Sequence, residues 1–286
     1  MTNHPRGVQG LPVSLTTFAA AQLLKVLPRV RISRMVGRLC DRSLHPHLSR
    51  GITQAYCRAY DVNMDEVAPQ TGPYGSFDAF FTRALRDGAR VISADPVVSP
   101  ADGALLSSGS VDESSRILVK GRPYDVAELI GDAEQARRYR GGQFAVVYLS
   151  PRDYHRVHSP VDGTISSVRG IPGDLFPVNS IGERHIPRLF VRNNRVDIAI
   201  QSKDVGRVSC VMVGAVIVGR ISVNVVGAPA PSPGITQISP PASVARGDEI
   251  GMFHLGSTVV MLFEPGVTIA RPAGVVRYGE SLLRAS

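Results

Sequence analysis

Leu255-Gly256-Ser257-Thr258-Val259-Val260-Met261-Leu262-Phe263, close to the C-terminus, is the stretch from which the rest of the chain can be read. The apolar run that ends it reads as a buried strand. The Gly-Ser pair in front reads as a turn into that strand, with a glycine carbonyl that no side chain shields. Short β-branched runs of the same kind, divided by Gly, Pro, Asp and Ser, recur after Pro96: Val97 to Val98, Ile117 to Val119, Phe144 to Leu149, Thr164 to Val168, Val196 to Ile200, Val208 to Val218 and Ile221 to Val226. This texture predicts one mostly antiparallel β domain over residues 97–286, with a helical insertion near Val126 to Tyr139. Within it, Ser99-Pro100-Ala101-Asp102-Gly103 recurs as Ser159-Pro160-Val161-Asp162-Gly163, each followed by a small apolar strand. Pro followed by Asp-Gly suits a tight turn, and the repeat predicts an internal duplication of a β unit.

Upstream the texture is helical. From Ser49 to about Arg90 the periodicity predicts helix packed on the core, ending in a Ser-capped face of Phe77, Phe80, Phe81 and Leu85. Residues 1–48 form a third region. Positions 1–50 hold eight basic side chains and one acid, so +7 of the net charge of +8 lies there. The apolar stretch from Leu11 to Leu24 is too interrupted to span a bilayer and lacks the flanks of a secretory signal. Pro28 breaks a helix begun near Ser14, and a second runs from about Arg31, with Ile32, Met35, Val36 and Leu39 on one face and Arg31, Arg34, Arg38 and Arg42 on another. Basic and apolar together, this arm suits an anionic membrane surface, not nucleic acid, which would need a basic face across the folded domain. The fold class is therefore α+β, with N-terminal membrane-associating helices before a mostly antiparallel β domain. Three cysteines without C-x-x-C spacing predict neither a disulfide framework nor a zinc site.

Chemistry concentrates in Leu149 to Pro160, where His155 and His158 follow a buried strand. The segment lacks an H-E-x-x-H spacing, and no metal is expected. Asp102, His155 or His158, and Ser257 supply an acid, a base and a hydroxyl, with Asp162 a rival for the acid. Such a set fits a serine hydrolase, although Leu-Gly-Ser-Thr is not the G-x-S-x-G elbow. It also fits attack by Ser257 on the carbonyl of Gly256. A non-catalytic lipid-binding β barrel is the alternative from another class.

Leu255-Gly256-Ser257-Thr258, the Tyr148 to Pro160 segment, Pro100 to Gly103, Pro172-Gly173-Asp174-Leu175-Phe176 and the Phe77 to Arg86 helix together resemble the bacterial phosphatidylserine decarboxylase proenzymes, in order over nearly the whole chain. The catalytic positions show no departure, while the N-terminal helices match only in character. The resemblance implies self-cleavage between Gly256 and Ser257, conversion of Ser257 to a covalent pyruvoyl cofactor, and a β chain, 1–256, that stays bound to an α chain, 257–286. It implies that Asp102 orients and charge-balances His158, that His158 deprotonates Ser257, and that His155 acts on the substrate as the acid that reprotonates its α carbon. Only Lys120 and Lys203 lie in the body as possible anchors for pyridoxal phosphate. The implied partner is phosphatidylserine in an anionic membrane, with the enzyme peripheral on the cytoplasmic face, and a homo-oligomer is expected.

Overall fold

A computed structural model describes residues 29–178, 185–215, 220–227 and 233–283. The helix expected from near Ser14 and the Leu11 to Leu24 stretch lie outside the described residues. Among the described residues three helices precede the β domain: α1 (Arg29–Asp41), α2 (Pro46–Tyr60) and α3 (Phe77–Phe81). Proline at the first turn of α2 costs no intrahelical bond, and Asp61 ends that helix in the left-handed region at φ 54°. Ser76 caps α3 by accepting a hydrogen bond from the Ala79 amide at 3.1 Å. The expectation of helix from Ser49 to Arg90 is corrected here. Residues 61–76 contain Pro69, Gly72, Pro73 and Gly75, which interrupt helix, and Leu85 bridges to Val67 instead of extending the face of α3. Phe80 and Phe81 are buried as expected.

The β domain begins with β1 (Gly103–Ser110), β2 (Arg116–Val119) and β3 (Arg122–Asp125). The predicted helical insertion follows as α4 (Val126–Ile130) and α5 (Ala133–Ala136), divided at Gly131 with φ 69°. Then come β4 (Gln143–Leu149), β5 (Arg156–His158), β6 (Gly163–Ile171), α6 (Leu189–Arg192), β7 (Arg195–Gln201), β8 (Arg207–Gly214), β9 (Ile221–Val223), β10 (Gly234–Val244), β11 (Glu249–Phe253), β12 (Ser257–Phe263) and β13 (Gly274–Val276). Eight strands form one antiparallel sheet in the order β10-β6-β7-β8-β12-β4-β1-β13, and β5-β11-β9 form a smaller one. Three predicted runs are not matched in full. Val97 to Val98 forms a bridge to Ser281 and no strand; β8 stops at Gly214, and Val216 to Val218 lie outside the described residues; β9 stops at Val223, where Asn224–Val226 turns and the Asn224 side chain donates to Glu249 O at 2.9 Å.

β12 lies inside the large sheet between β8 and β4. Its Val259, Met261 and Phe263 enter one hydrophobic core and its Val260 and Leu262 the other, on the opposite face. Burial on both faces explains why the sequence runs apolar without alternation. The strand that opens with Ser257 is thus among the most securely held in the molecule.

Candidate active site

Ser257 pairs with Leu149 of β4 and Gly214 of β8. Its side chain is fully buried, and its Oγ has no hydrogen-bond partner among the described residues. Leaving such a group unpaired costs roughly 1–3 kcal/mol, so the orphaned hydroxyl asks for a functional reason. The backbone just before it is strained. Leu255 has φ 127° and Gly256 φ 25°, the first in a region that side chains avoid at a cost of about 1–3 kcal/mol.

An ionic cluster grips the residue before this turn. His254 Nδ1 lies 2.9 Å from Asp78 Oδ1 and 2.8 Å from Arg220 Nη2, and its Nε2 lies 3.1 Å from Ser222 Oγ. Arg220 donates to Asp78 at 2.9 Å and to both oxygens of Asp41 at 2.7 and 2.8 Å. The C-terminus of α1, the start of α3, β9 and the strained turn are thereby joined. α1, α2, α3 and the strained turn line a cavity of about 330 Å³, with Val36, Tyr56, Phe81, Leu255, Gly256 and Ser257 in its wall.

His155 is completely buried, and its ring packs on Phe81 at 4.1 Å. Its Nδ1 lies 2.8 Å from Asp153 O, so Nδ1 carries the hydrogen and donates. Nε2 is then a bare lone pair, and it has no partner among the described residues. Burial pushes the imidazole down to about 3 against a smaller opposing effect of the Asp153 carbonyl. Phe81, which packs on this histidine, also lines the Ser257 cavity.

His158 sits on β5 and donates from Nδ1 to Gly247 O at 2.7 Å, while Nε2 accepts from the Tyr154 hydroxyl at 3.2 Å. The Tyr278 ring stacks on it at 3.8 Å with the planes 3° apart. Burial lowers its pKa, opposed by the Gly247 carbonyl and by the charges of Glu249 and Asp102. Asp102 is fixed by its own turn: a Cβ on Gly103 would lie 2.1 Å from Tyr148 O, so only glycine lets β1 start there. The Asp102 carboxylate accepts from Arg90, with Nε at 3.2 Å, and from the Tyr278 amide at 2.9 Å. Asp102 and His158 thus share Tyr278, ring on one and amide on the other, without a hydrogen bond between them. No hydrogen bond joins His158 to Ser257 among the described residues.

The repeated segments adopt matching turns. Ser99 donates to Ala101 O at 2.8 Å and Ser159 to Val161 O at 2.7 Å. The Val98 amide donates to Pro160 O at 2.9 Å and the His158 amide to Pro100 O at 2.8 Å, a reciprocal pairing of the two copies. Their acids differ, since Asp162 is largely exposed and bonds Arg246.

Residues 77–284 match the phosphatidylserine decarboxylase family model. Among curated relatives, the phosphatidylserine decarboxylase proenzyme of Psychrobacter arcticus is 39% identical over 84% of this chain and 87% of its own length. Those of Acinetobacter baylyi (40%, covering 86% of each chain) and Marinobacter nauticus (39%, covering 90% of this chain and 94% of the relative) are similar in the same way. This chain belongs to the phosphatidylserine decarboxylase family. Among its described residues no helix is long and apolar enough to cross a membrane. Arg90, Tyr154, Tyr278 and the Asp78–His254 pair escaped the reading of the sequence. Tyr154 stood inside the marked Tyr148 to Pro160 segment and Asp78 inside the marked Phe77 to Arg86 helix, but neither was given a role there.

Proposed function

We propose that this family member decarboxylates phosphatidylserine to phosphatidylethanolamine and carbon dioxide after cutting itself between Gly256 and Ser257. The observation that carries the reading is a buried, unpartnered serine hydroxyl directly after a strained Leu255-Gly256 turn. Ser257 gives its proton to a base and its oxygen adds to the Gly256 carbonyl carbon. The C–N bond breaks as the nitrogen takes a proton, which leaves an ester. Loss of the Ser257 α proton expels the Gly256 carboxylate, and the dehydroalanine that remains takes up water and releases ammonia to become a pyruvoyl group. The β chain, 1–256, and the α chain, 257–286, stay together because β12 is bonded on both sides to β-chain strands.

A pyruvoyl group at residue 257 supplies a conjugated sink for the electrons left when a carboxylate departs. The exposure of Lys120 and Lys203, neither of which lines the Ser257 cavity, favours this cofactor over one anchored on lysine. His158 is assigned as the base in self-cleavage, with Asp102 balancing its charge across Tyr278. That role requires Nε2 to trade its bond from Tyr154 for one from Ser257. His155, with a bare Nε2, takes the proton shed by the substrate amine and returns it to the carbon that lost carbon dioxide. The basic arm, residues 1–48, holds the enzyme on the anionic cytoplasmic face of the membrane, and the exposure of Met35 and Leu39 beside Arg38 and Arg42 supports this.

The test is a set of purified variants weighed intact and assayed on phosphatidylserine vesicles. Ser257→Ala and His158→Ala are expected to stay uncut, whereas His155→Ala is expected to cut and release no carbon dioxide. A cut and fully active His155→Ala would reassign that histidine.

A further inference from the structure

Tyr148, which lines the Ser257 cavity, also lines a second cavity of about 420 Å³. Arg83, on the turn after α3, forms part of its wall and is only 4% exposed. Its Nη2 donates to Arg152 O at 3.1 Å and to Asp153 O at 3.4 Å, and its Cζ lies 5.3 Å from the centre of the Phe80 ring. Nε and Nη1 are buried without a partner among the described residues. The carboxylates of this cavity are engaged elsewhere or exposed. Glu66 and Asp102 are held by Arg90, Asp153 by the amide and hydroxyl of Ser150 at 2.7 Å each, and Asp61 faces water. A guanidinium so desolvated and left without an anion is costly until one completes it.

Building on the decarboxylase reading, we propose that Arg83 seats the phosphodiester of the lipid headgroup. Its position suits that task, because the carbonyl of Asp153 that it grips also holds Nδ1 of His155 at 2.8 Å. The phosphate and the proton-carrying imidazole are then registered on one backbone atom. Phosphate is favoured over the substrate carboxylate on chemical grounds. A cation paired with the departing carboxylate would hold charge there and oppose its loss, whereas the phosphodiester keeps its charge throughout and gains from a fixed, forked donor. Nε and Nη1 are shielded from water as the side chains now stand, so seating the anion requires the groups around the cavity to give way.

The experiment compares wild type, Arg83→Lys and Arg83→Gln, each weighed intact. Calorimetric titration uses glycerophosphoglycerol, a diester with neither amine nor carboxylate, with inorganic phosphate and free serine as separate probes. Wild type is expected to bind the diester, Arg83→Gln to bind it at least tenfold more weakly, and Arg83→Lys to fall between. With dihexanoyl phosphatidylserine, KM is expected to rise tenfold or more in Arg83→Gln while kcat changes far less. Equal diester affinity in wild type and Arg83→Gln, binding of inorganic phosphate alone, or a loss confined to kcat would overturn the assignment. If neither variant folds, failure of wild type to bind the diester refutes it. Wild type that binds the diester but releases no carbon dioxide would instead refute the decarboxylase reading and leave the anion seat standing.

Discussion

Replacing Asp78 with Asn tests whether the ionic cluster holds the strained turn. The amide keeps the volume of the carboxylate but loses its charge, and its single oxygen cannot serve both His254 Nδ1 and Arg220 Nη2, each 2.9 Å away in the native protein. One charge-assisted bond to a largely buried side chain is lost, worth about 1.5–3 kcal/mol. The Leu255 backbone at φ 127° stores about 1–3 kcal/mol, so the grip and the strain are of similar size. Without the grip the turn relaxes, and the Gly256 carbonyl leaves the arrangement that Ser257 attacks. At about 1.4 kcal/mol for each factor of ten, self-cleavage should slow roughly 10- to 100-fold. The assay follows loss of the 30.6 kDa chain by intact mass after cell-free synthesis. His254→Leu should slow it comparably, and the double variant should add little to either single one. Cleavage at the native rate in a folded Asp78→Asn protein would refute the idea that strain held from His254 promotes the cut.

Other outcomes follow from the same structure. His155 is held neutral at a pKa of about 3, against about 6.5 when unfolded, so the unfolded chain binds the extra proton between those values and stability falls as the pH drops below 6.5. In urea titrations of folded, soluble protein, His155→Gln should gain about 2 kcal/mol on wild type between pH 6.5 and pH 5; a pH-independent difference would mean the imidazole is not buried neutral. Reversing the charges of Arg31, Arg34 and Arg38 should weaken binding to phosphatidylserine liposomes and leave self-cleavage intact, and unchanged binding would remove the arm's role. Tyr278→Ala should impair self-cleavage more than Tyr278→Phe, because the aromatic ring alone stacks on His158 while the backbone amide serves Asp102 in either variant. Equal rates would show that the stacking is dispensable.

Much of the fold could be read because the large sheet writes its inner strands as apolar runs. β4, β7, β8 and β12 are buried on both faces and needed no partner to be recognised. The edge was harder. β10 contains Pro240 and Pro241 and is largely exposed, so its sequence resembles a loop, and its pairing with β6 is interrupted between Gln237 and Ala242. The site divides along the same line. Ser257, Asp102 and the two histidines lie in local patterns of distinctive spacing. Asp41, Asp78, Arg220 and His254 come from four distant parts of the chain, and only the packing of α1 and α3 against the β9 region brings them together. The positive φ of Leu255 was equally hidden, since Leu-Gly-Ser reads as an ordinary turn until the backbone is traced.

The central claim, that Ser257 attacks Gly256 and becomes the cofactor, is tested most directly by the denaturing intact mass of the purified wild-type protein. The prediction is two chains, one ending at Gly256 and one spanning residues 257–286 with a pyruvoyl group as its first residue. A single unmodified chain of 30.6 kDa that still releases carbon dioxide from phosphatidylserine would contradict it.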